Sequence, residues 1–304
     1  MTKPRTLVGL LGANIQGSIS PALFAEAFAA AGIEGYYHLL DVDRLRERRL
    51  PQLVEAIKAA GFAGANVTYP FKQDIVPLLD AIDPSAAEVG AVNTITIAPD
   101  GRTTGFNFDR AGWRNSFVAA FGANSAQGKN VVQVGAGGAG RAVAFALLDL
   151  GVSTLVISDL DGSRAAMLQA DLERHRPGVR CRVSIDLAGD IAAADGVVNA
   201  TQVGMRGFPG NPVPDEALQS RHWAADIIYT PLQTDYLKAA AAKGARTLNG
   251  SGMCVHQAVE AFRQLTGVTP DLARLHRAFA AAAAARDAAF AAADKTPKDQ
   301  RAAS

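Results

Sequence analysis

Two stretches of the chain carry residue types that chemistry needs, at spacings that chemistry uses. Gly135-Ala136-Gly137-Gly138-Ala139-Gly140 fits G-x-G-x-x-G, and "GFNFDRAGW" at 105–113 sets an amide and a carboxylate, Asn107 and Asp109, either side of a bulky Phe108. The glycines gain meaning from their flanks. An apolar strand, "VVQV", runs into them and a helix, "GRAVAFALLDLG", leaves them, which is the setting for a dinucleotide. A Cβ in the loop would hold the backbone away from a pyrophosphate, while the helix start offers unpaired N–H groups and positive dipole to phosphate. A tight strand–helix turn without a ligand is the plainer alternative, and the two flanks outweigh it.

Asp159 ends the next strand, roughly 20 residues beyond the last glycine, where an acid accepts hydrogen bonds from the adenosine ribose. A carboxylate there repels a 2′-phosphate, so NAD is favoured over NADP. Arg164 lies close enough in sequence to soften that choice by meeting a phosphate. Read blandly, "SDLDGS" is only a turn.

The elements that must position these groups are legible as a strand–helix alternation. "TLVGLLG" (6–12), "YYHLL" (36–40) and "GANVTYP" (64–70) read as strands. Helices are expected over "SPALFAEAFAAAG", with Ser20 as N-cap, over 50–61, and from "FKQDIVPLLD" with Lys72 in its first turn. "AVNTITIAPDGRTTGFNFD" reads as a hairpin around Pro99-Asp100-Gly101. From 130 on, strands alternate with helices through "STLVISD", "CRVSI" and "GVVNAT", followed by "WAADIIYTP", "GARTLNGSGM" and a terminal helical region. The polar end, "DKTPKDQRAAS", is expected to fray.

Composition narrows the class. The 304 residues are 49% apolar and 19% charged, with 30 basic against 29 acidic side chains. That fits a globular chain long enough for two domains and gives nucleic acid or an anionic membrane no electrostatic support. Cys181 and Cys254 are the only cysteines, so neither a disulfide framework nor a metal site is expected. No apolar run is long enough to cross a bilayer, and the expected location is the cytoplasm.

Several separated pieces together resemble the shikimate/quinate dehydrogenase family: "SISP" (18–21), "NVTYPFK" (66–72), "AVNT" (91–94), "NFD" (107–109), "GAGGAGRAV", "NATQVGM" (199–205), "DIIYTPLQTDYL" (226–237) and "NGSGMCVHQA" (249–258). The resemblance runs in order from about residue 7 to 280. It implies that Ser18 and Ser20 bind a substrate carboxylate, that Thr68 and Asn93 bind ring hydroxyls, and that Lys72 and Asp109 form the catalytic pair. It further implies substrate contacts at Tyr229 and Gln257, and a nicotinamide-side lining that includes Asn199, Thr201 and Met205, with Gly250 at the cofactor site. Taken singly, Ser20 and Asp109 are better read as helix caps and Lys72 as a surface lysine; taken together, the functional reading prevails.

The residue types suit the chemistry. Oxidising a secondary alcohol loses a hydride to a nicotinamide and a proton to a base, and the protein supplies orientation and the proton acceptor. A lysine serves as that base when desolvation favours its neutral form, with an adjacent carboxylate orienting it. Where the family has threonine between Asn and Asp, this chain has Phe108. Strand alternation predicts Asn107 and Asp109 on one face and Phe106 with Phe108 on the other, turned into the core. A Phe108 facing the cleft would instead replace a hydroxyl by a ring and retune the substrate.

The expected architecture is α/β: a substrate domain over 1–112, a Rossmann-type NAD domain over 113–250, C-terminal helices over 251–287 returning to the first domain, and a disordered tail over 288–304. The expected partner is a small cyclic hydroxy acid, the expected assembly a monomer or homodimer. The alternatives are a family paralogue oxidising a different hydroxylated ring acid and, from another class, a non-catalytic NAD-binding sensor.

Overall fold

The computed structural model describes residues 5–45 and 49–295. The expected tail from 296 onward lies outside them. The N-terminal part lays down β1 (Arg5–Gly12), α1 (Ser20–Ala31), β2 (Glu34–Asp41), α2 (Leu50–Ala59), β3 (Gly64–Val67), β4 (Ala81–Ile82), α3 (Pro84–Val89), β5 (Thr94–Ile97) and β6 (Thr103–Phe106). These strands form one mixed sheet in the order β2-β1-β3-β5-β6-β4. Strand β1 pairs parallel with β2 and β3, and β5 and β6 make the expected hairpin.

The helix expected from Phe71 does not form. Residues 71–75 coil through turns into a short 3-10 segment, Val76–Leu78. Pro77 has no N–H to donate, so the one α-type turn, Ile75 N–H to Phe71 O, does not propagate. The Lys72 carbonyl instead accepts the Val92 N–H at 2.7 Å, which ties the lysine to the segment entering Asn93. Helix α3 was not foreseen, although its signals are in the sequence. Asp83 accepts the Ser85 N–H at 2.9 Å, Pro84 opens the helix, and Gly90 closes it left-handed at φ 67°.

The second unit follows as α4 (Asp109–Phe121), β7 (Asn130–Val134), α5 (Gly138–Asp149), β8 (Thr154–Ser158), α6 (Gly162–His175), β9 (Arg180–Val183), α7 (Leu187–Ala193), β10 (Gly196–Asn199), β11 (Trp223–Asp226), α8 (Asp235–Ala242) and β12 (Arg246–Leu248). Its six strands are all parallel, in the order β12-β11-β10-β7-β8-β9. The order reverses between β7 and β10, and the glycine loop leaves β7 at that switch point, where open α/β sheets hold their ligands.

Two helices close the chain, α9 (Ser251–Thr266) and α10 (Leu272–Lys295). Phe262, Leu275 and Phe279 share a buried cluster with Leu23, Phe24 and Phe28 of α1, so these helices return to the first unit. Helix α10 runs past 287, where the tail was expected to begin. The boundary expected between 112 and 113 falls inside α4, whose Trp113 and Phe117 are buried with Phe145 and Leu147 of α5. Helices α4 and α9 cross closely: a Cβ on Gly112 would stand 3.0 Å from Gln257 N, and one on Gly252 2.1 Å from Ser116 Oγ. That crossing fixes the start of α4 against the middle of α9.

Ion pairs tie the two units together. Arg110 on α4 donates to Glu88 on α3 at 2.6 Å and to Asp149 on α5 at 2.6 Å. Arg141 on α5 donates to the Val89 carbonyl and, at 2.6 Å, to Asp171. The Arg110 hydrogen bond holds the Glu88 carboxyl below the usual carboxylate range.

Candidate active site

Strand β6 stops at Phe106, and the next three residues set up the site. Asn107 donates to the Ala91 carbonyl at 2.9 Å, and its Oδ1 accepts the N–H groups of Asp109 and Arg110 at 3.1 and 3.4 Å. Asn107 therefore covers the first donors of α4, the task expected of Asp109. Asp109 is the first helical residue, and its carboxylate is left for other partners. Its Oδ2 accepts from Lys72 Nζ at 2.5 Å and its Oδ1 from Asn93 Nδ2 at 3.0 Å.

That pair ends a continuous polar chain. The Tyr37 hydroxyl donates to Asn66 Oδ1 at 2.9 Å, Asn66 Nδ2 to Thr94 Oγ1 at 3.0 Å, and Thr94 Oγ1 to Asn93 Oδ1 at 3.0 Å. Asn93 Oδ1 also accepts the Phe108 N–H at 3.0 Å. Asn93 thus orients Asp109 from a buried position. Tyr37 was not foreseen; a tyrosine in a strand gives no signal of a partner on another strand.

Alternation does extend through this stretch, with its sense reversed. Asn107 and Asp109 are the buried side, while Phe106 and Phe108 are half-buried, rings stacked at 5.8 Å and 9°. The polar pair turns inward because Ala91, Asn93 and Lys72 supply hydrogen bonds there, so Phe108 does not enter the core. Its ring rests at the edge of the cluster formed by α1, α9 and α10, on which Tyr229 also packs.

Ser20 is not a cap either. Ile19 precedes the helix, Ser20 is its first residue, and Ser18 Oγ accepts the Ser20 N–H at 3.2 Å. The hydroxyls gather nonetheless: the Ser20 hydroxyl acts on the Tyr37 phenol and the Ser18 hydroxyl on the Tyr229 phenol. Burial raises both phenols well above their ordinary range, so both stay protonated. Burial, with the Asp109 charge nearby, pushes the Cys254 thiol up to about 12. It stays protonated and packs in the interior. Gln257 on α9 donates to the Cys254 carbonyl at 3.0 Å, and Thr68 is half-buried against Gly12.

On the other side, Gln133 clamps the glycine loop, donating from Nε2 to the carbonyls of Gly135 and Gly140 at 2.8 Å each. A Cβ on Gly140 would stand 2.2 Å from Gly135 O, whereas one on Gly137 would meet nothing within 4 Å. The loop is thus closed on its inner side and open at Gly137, the shape of a cradle for a ligand. Asp159 accepts the Ala136 N–H at 2.7 Å, and Arg164 is exposed and turned to Asp161 at 3.5 Å. Asn199 is fully buried. It donates to Val203 O and Asp226 and accepts from Thr201, so it shapes the 199–205 loop from behind. Met205 bridges Phe208, and Gly250 lets α9 start against Ile227, whose carbonyl would be 2.0 Å from a Cβ. Among the described residues no cluster suits a metal ion and no helix is long and apolar enough to cross a membrane.

Known proteins match this frame. Residues 10–95 match the shikimate dehydrogenase substrate binding domain. A quinate/shikimate dehydrogenase (NAD(+)) of Corynebacterium efficiens is 43% identical over 284 residues, covering 92% of this chain and 99% of that protein. The chain belongs to the shikimate/quinate dehydrogenase family. A shikimate dehydrogenase (NADP(+)) of Streptomyces avermitilis is 44% identical over 279 residues, covering 90% of this chain and 95% of its own. The quinate dehydrogenase of Corynebacterium glutamicum, solved in complex with NAD, superposes with a TM-score of 0.83 at 40% identity, covering 91% of this chain and all of that one. Members of this family are oxidoreductases, and relatives naming either cofactor are about equally similar to this chain.

Proposed function

We propose that this protein catalyses reversible NAD-linked oxidation of a ring hydroxyl in shikimate or quinate, with Lys72 and Asp109 as the acid–base pair. The observation that carries the reading is the 2.5 Å Lys72–Asp109 pair standing against the glycine loop: a Cβ on Gly138 would lie 3.0 Å from Lys72 Cβ. Proton-transfer groups and cofactor cradle are thereby neighbours.

The open cradle at Gly137, with the backbone N–H groups of 138–140 at the start of α5, fits a pyrophosphate. Asp159, at the end of β8, fits a ribose and disfavours a 2′-phosphate, which supports NAD over NADP. Bound, the cofactor supplies the hydride acceptor. Lys72 then takes the hydroxyl proton, or returns it in the reverse direction. Asp109 holds the Nζ in place throughout, and Asn93 holds Asp109. The hydroxyls of Ser18, Ser20 and Tyr229 suit a carboxylate, and Thr68 and Gln257 suit ring hydroxyls.

The test is NADH formation with shikimate and with quinate by the wild type and by Lys72→Ala. The expected result is turnover of at least one acid, reduced roughly 10²–10⁴-fold in the variant while NAD still binds. No turnover of either acid, or an unaffected variant, overturns the reading; the second outcome favours a binder.

A further inference from the structure

Helix α10 keeps one face to the protein from Leu275 to Phe290. Leu275, Phe279 and Ala283 are buried at four-residue spacing, and half-buried Arg286 and Phe290 continue the same face. Phe279 meets the Tyr229 ring edge-on at 5.9 Å and 70°. Arg286 then donates from Nη2 to the Tyr229 carbonyl at 3.1 Å and from Nη1 to Thr230 Oγ1 at 2.5 Å. Phe290 reaches to within 3.3 Å of a Cβ on Gly17, next to Ser18, and carries the Arg206 guanidinium 4.0 Å over its ring. The end of α10 thus covers the corner where Ser18 and Tyr229 meet.

The charge on Arg286 is poorly neutralised there. Its side chain is 9% exposed, and its anionic partner, Asp287 Oδ1 at 2.9 Å, belongs to a side chain 46% exposed, where solvent and salt screen it. The inward partners are two neutral oxygens. Three hydrogen bonds leave two of the five guanidinium N–H groups over. Burial raises the Tyr229 phenol and the Cys254 thiol, and the Arg286 charge draws both back, so its field reaches the inside of the corner. The hydroxyls there are neutral, and Lys72 is held by Asp109. Neutral donors suit a carboxylate, and a buried positive charge behind them further offsets its desolvation.

We infer that Arg286 is a substrate-positioning residue, supplying the positive charge that holds the ring acid's carboxylate at the Ser18–Tyr229 corner. This rests on the reading of the reaction above. The charge acts on substrate binding and not on the proton transfer at Lys72, and it distinguishes an acid from its neutral ester.

The experiment compares wild type, Arg286→Gln and Arg286→Lys with shikimate and with methyl shikimate at saturating NAD, at low and high salt. For Arg286→Gln the expected result is a KM for shikimate roughly tenfold higher, with kcat falling less than about threefold. The KM for the ester should move less than about twofold, Arg286→Lys should recover part of the loss, and the salt dependence of the shikimate KM should flatten. Equal effects on acid and ester, or none on either, overturn the proposal while leaving the reaction assigned. A wild type idle with shikimate and quinate overturns the reaction reading and this inference with it. NAD affinity and thermal melts of each variant separate lost charge from lost fold.

Discussion

Gly138 of the cofactor loop lies directly against Lys72: a Cβ there would stand 3.0 Å from Lys72 Cβ and 3.5 Å from Cδ. The third glycine of the loop therefore has a different neighbour from the second. Gly137 faces open space, as the proposed pyrophosphate cradle requires, while Gly138 is where the two units touch at the proposed acid–base pair.

The two glycines should fail differently. Gly138→Ala requires Lys72 or the loop to give by a few tenths of an ångström, and if Lys72 is the proposed proton acceptor its misplacement is costly. We expect kcat to fall roughly tenfold, on the scale at which an ångström costs about a hundredfold, with a smaller change in the KM for NAD. Gly137→Ala should raise the KM for NAD and spare folding. Steady-state kinetics with NAD as the varied substrate decides it; a Gly138→Ala enzyme with intact kcat and only weaker NAD binding would sink the distinction.

Asn107 should matter for stability as well as rate. Replacing it by alanine removes the acceptor for two α4 N–H groups and the donor to the Ala91 carbonyl. A lost cap costs about 0.5–2 kcal/mol, so the melting temperature should drop by several degrees. Turnover should fall too, because Asp109 begins the loosened helix. Asn107→Ser, which keeps an N-cap oxygen, should recover part of both. A variant that melts normally would show that Asn107 does not hold the helix.

How much of this was legible follows from how local each feature is. The glycine loop was readable because strand, loop and helix are contiguous, and so was the β5–β6 hairpin. Which member of Asn107-Phe108-Asp109 caps α4 was not. That choice depends on Ala91, Asn93 and Lys72, which are distant in sequence, and alternation alone cannot say which side of a strand is inside. The end of α10 was missed for another reason. Its alanine run has almost no apolar–polar contrast, so only Phe290 marks the buried stripe.

Phe108 is the departure from the family pattern that the structure brings to the accessible side. A threonine there removes the ring stacked on Phe106, a contact worth roughly 0.5–1.5 kcal/mol beyond burial, and opens space beside the cluster that carries Tyr229. We expect Phe108→Thr to change the ratio of kcat/KM for shikimate over quinate by about tenfold, one hydrogen bond's worth. The KM for NAD should barely move. An unchanged ratio in a well-folded variant would assign the ring to packing alone.

Asp226 gives the protein a pH-dependent liability away from the chemistry. Burial pushes its carboxyl up to about 6, against the opposing hydrogen bonds from Ile228 N–H, Thr234 and Asn199. The folded chain therefore holds this proton more tightly than the unfolded chain, whose carboxyl titrates near 3.8. Between those two values the unfolded state binds fewer protons, so the group lowers stability as pH rises, and above 6 the full penalty persists. Asp226→Asn removes that penalty and keeps the geometry, since Thr234 can turn from donor to acceptor. The variant's stability advantage over wild type should grow by on the order of 1 kcal/mol between pH 5 and 7. Thermal melts at the two pH values check it, and a gap that stays constant or narrows would mean that Asp226 is charged in the folded protein throughout.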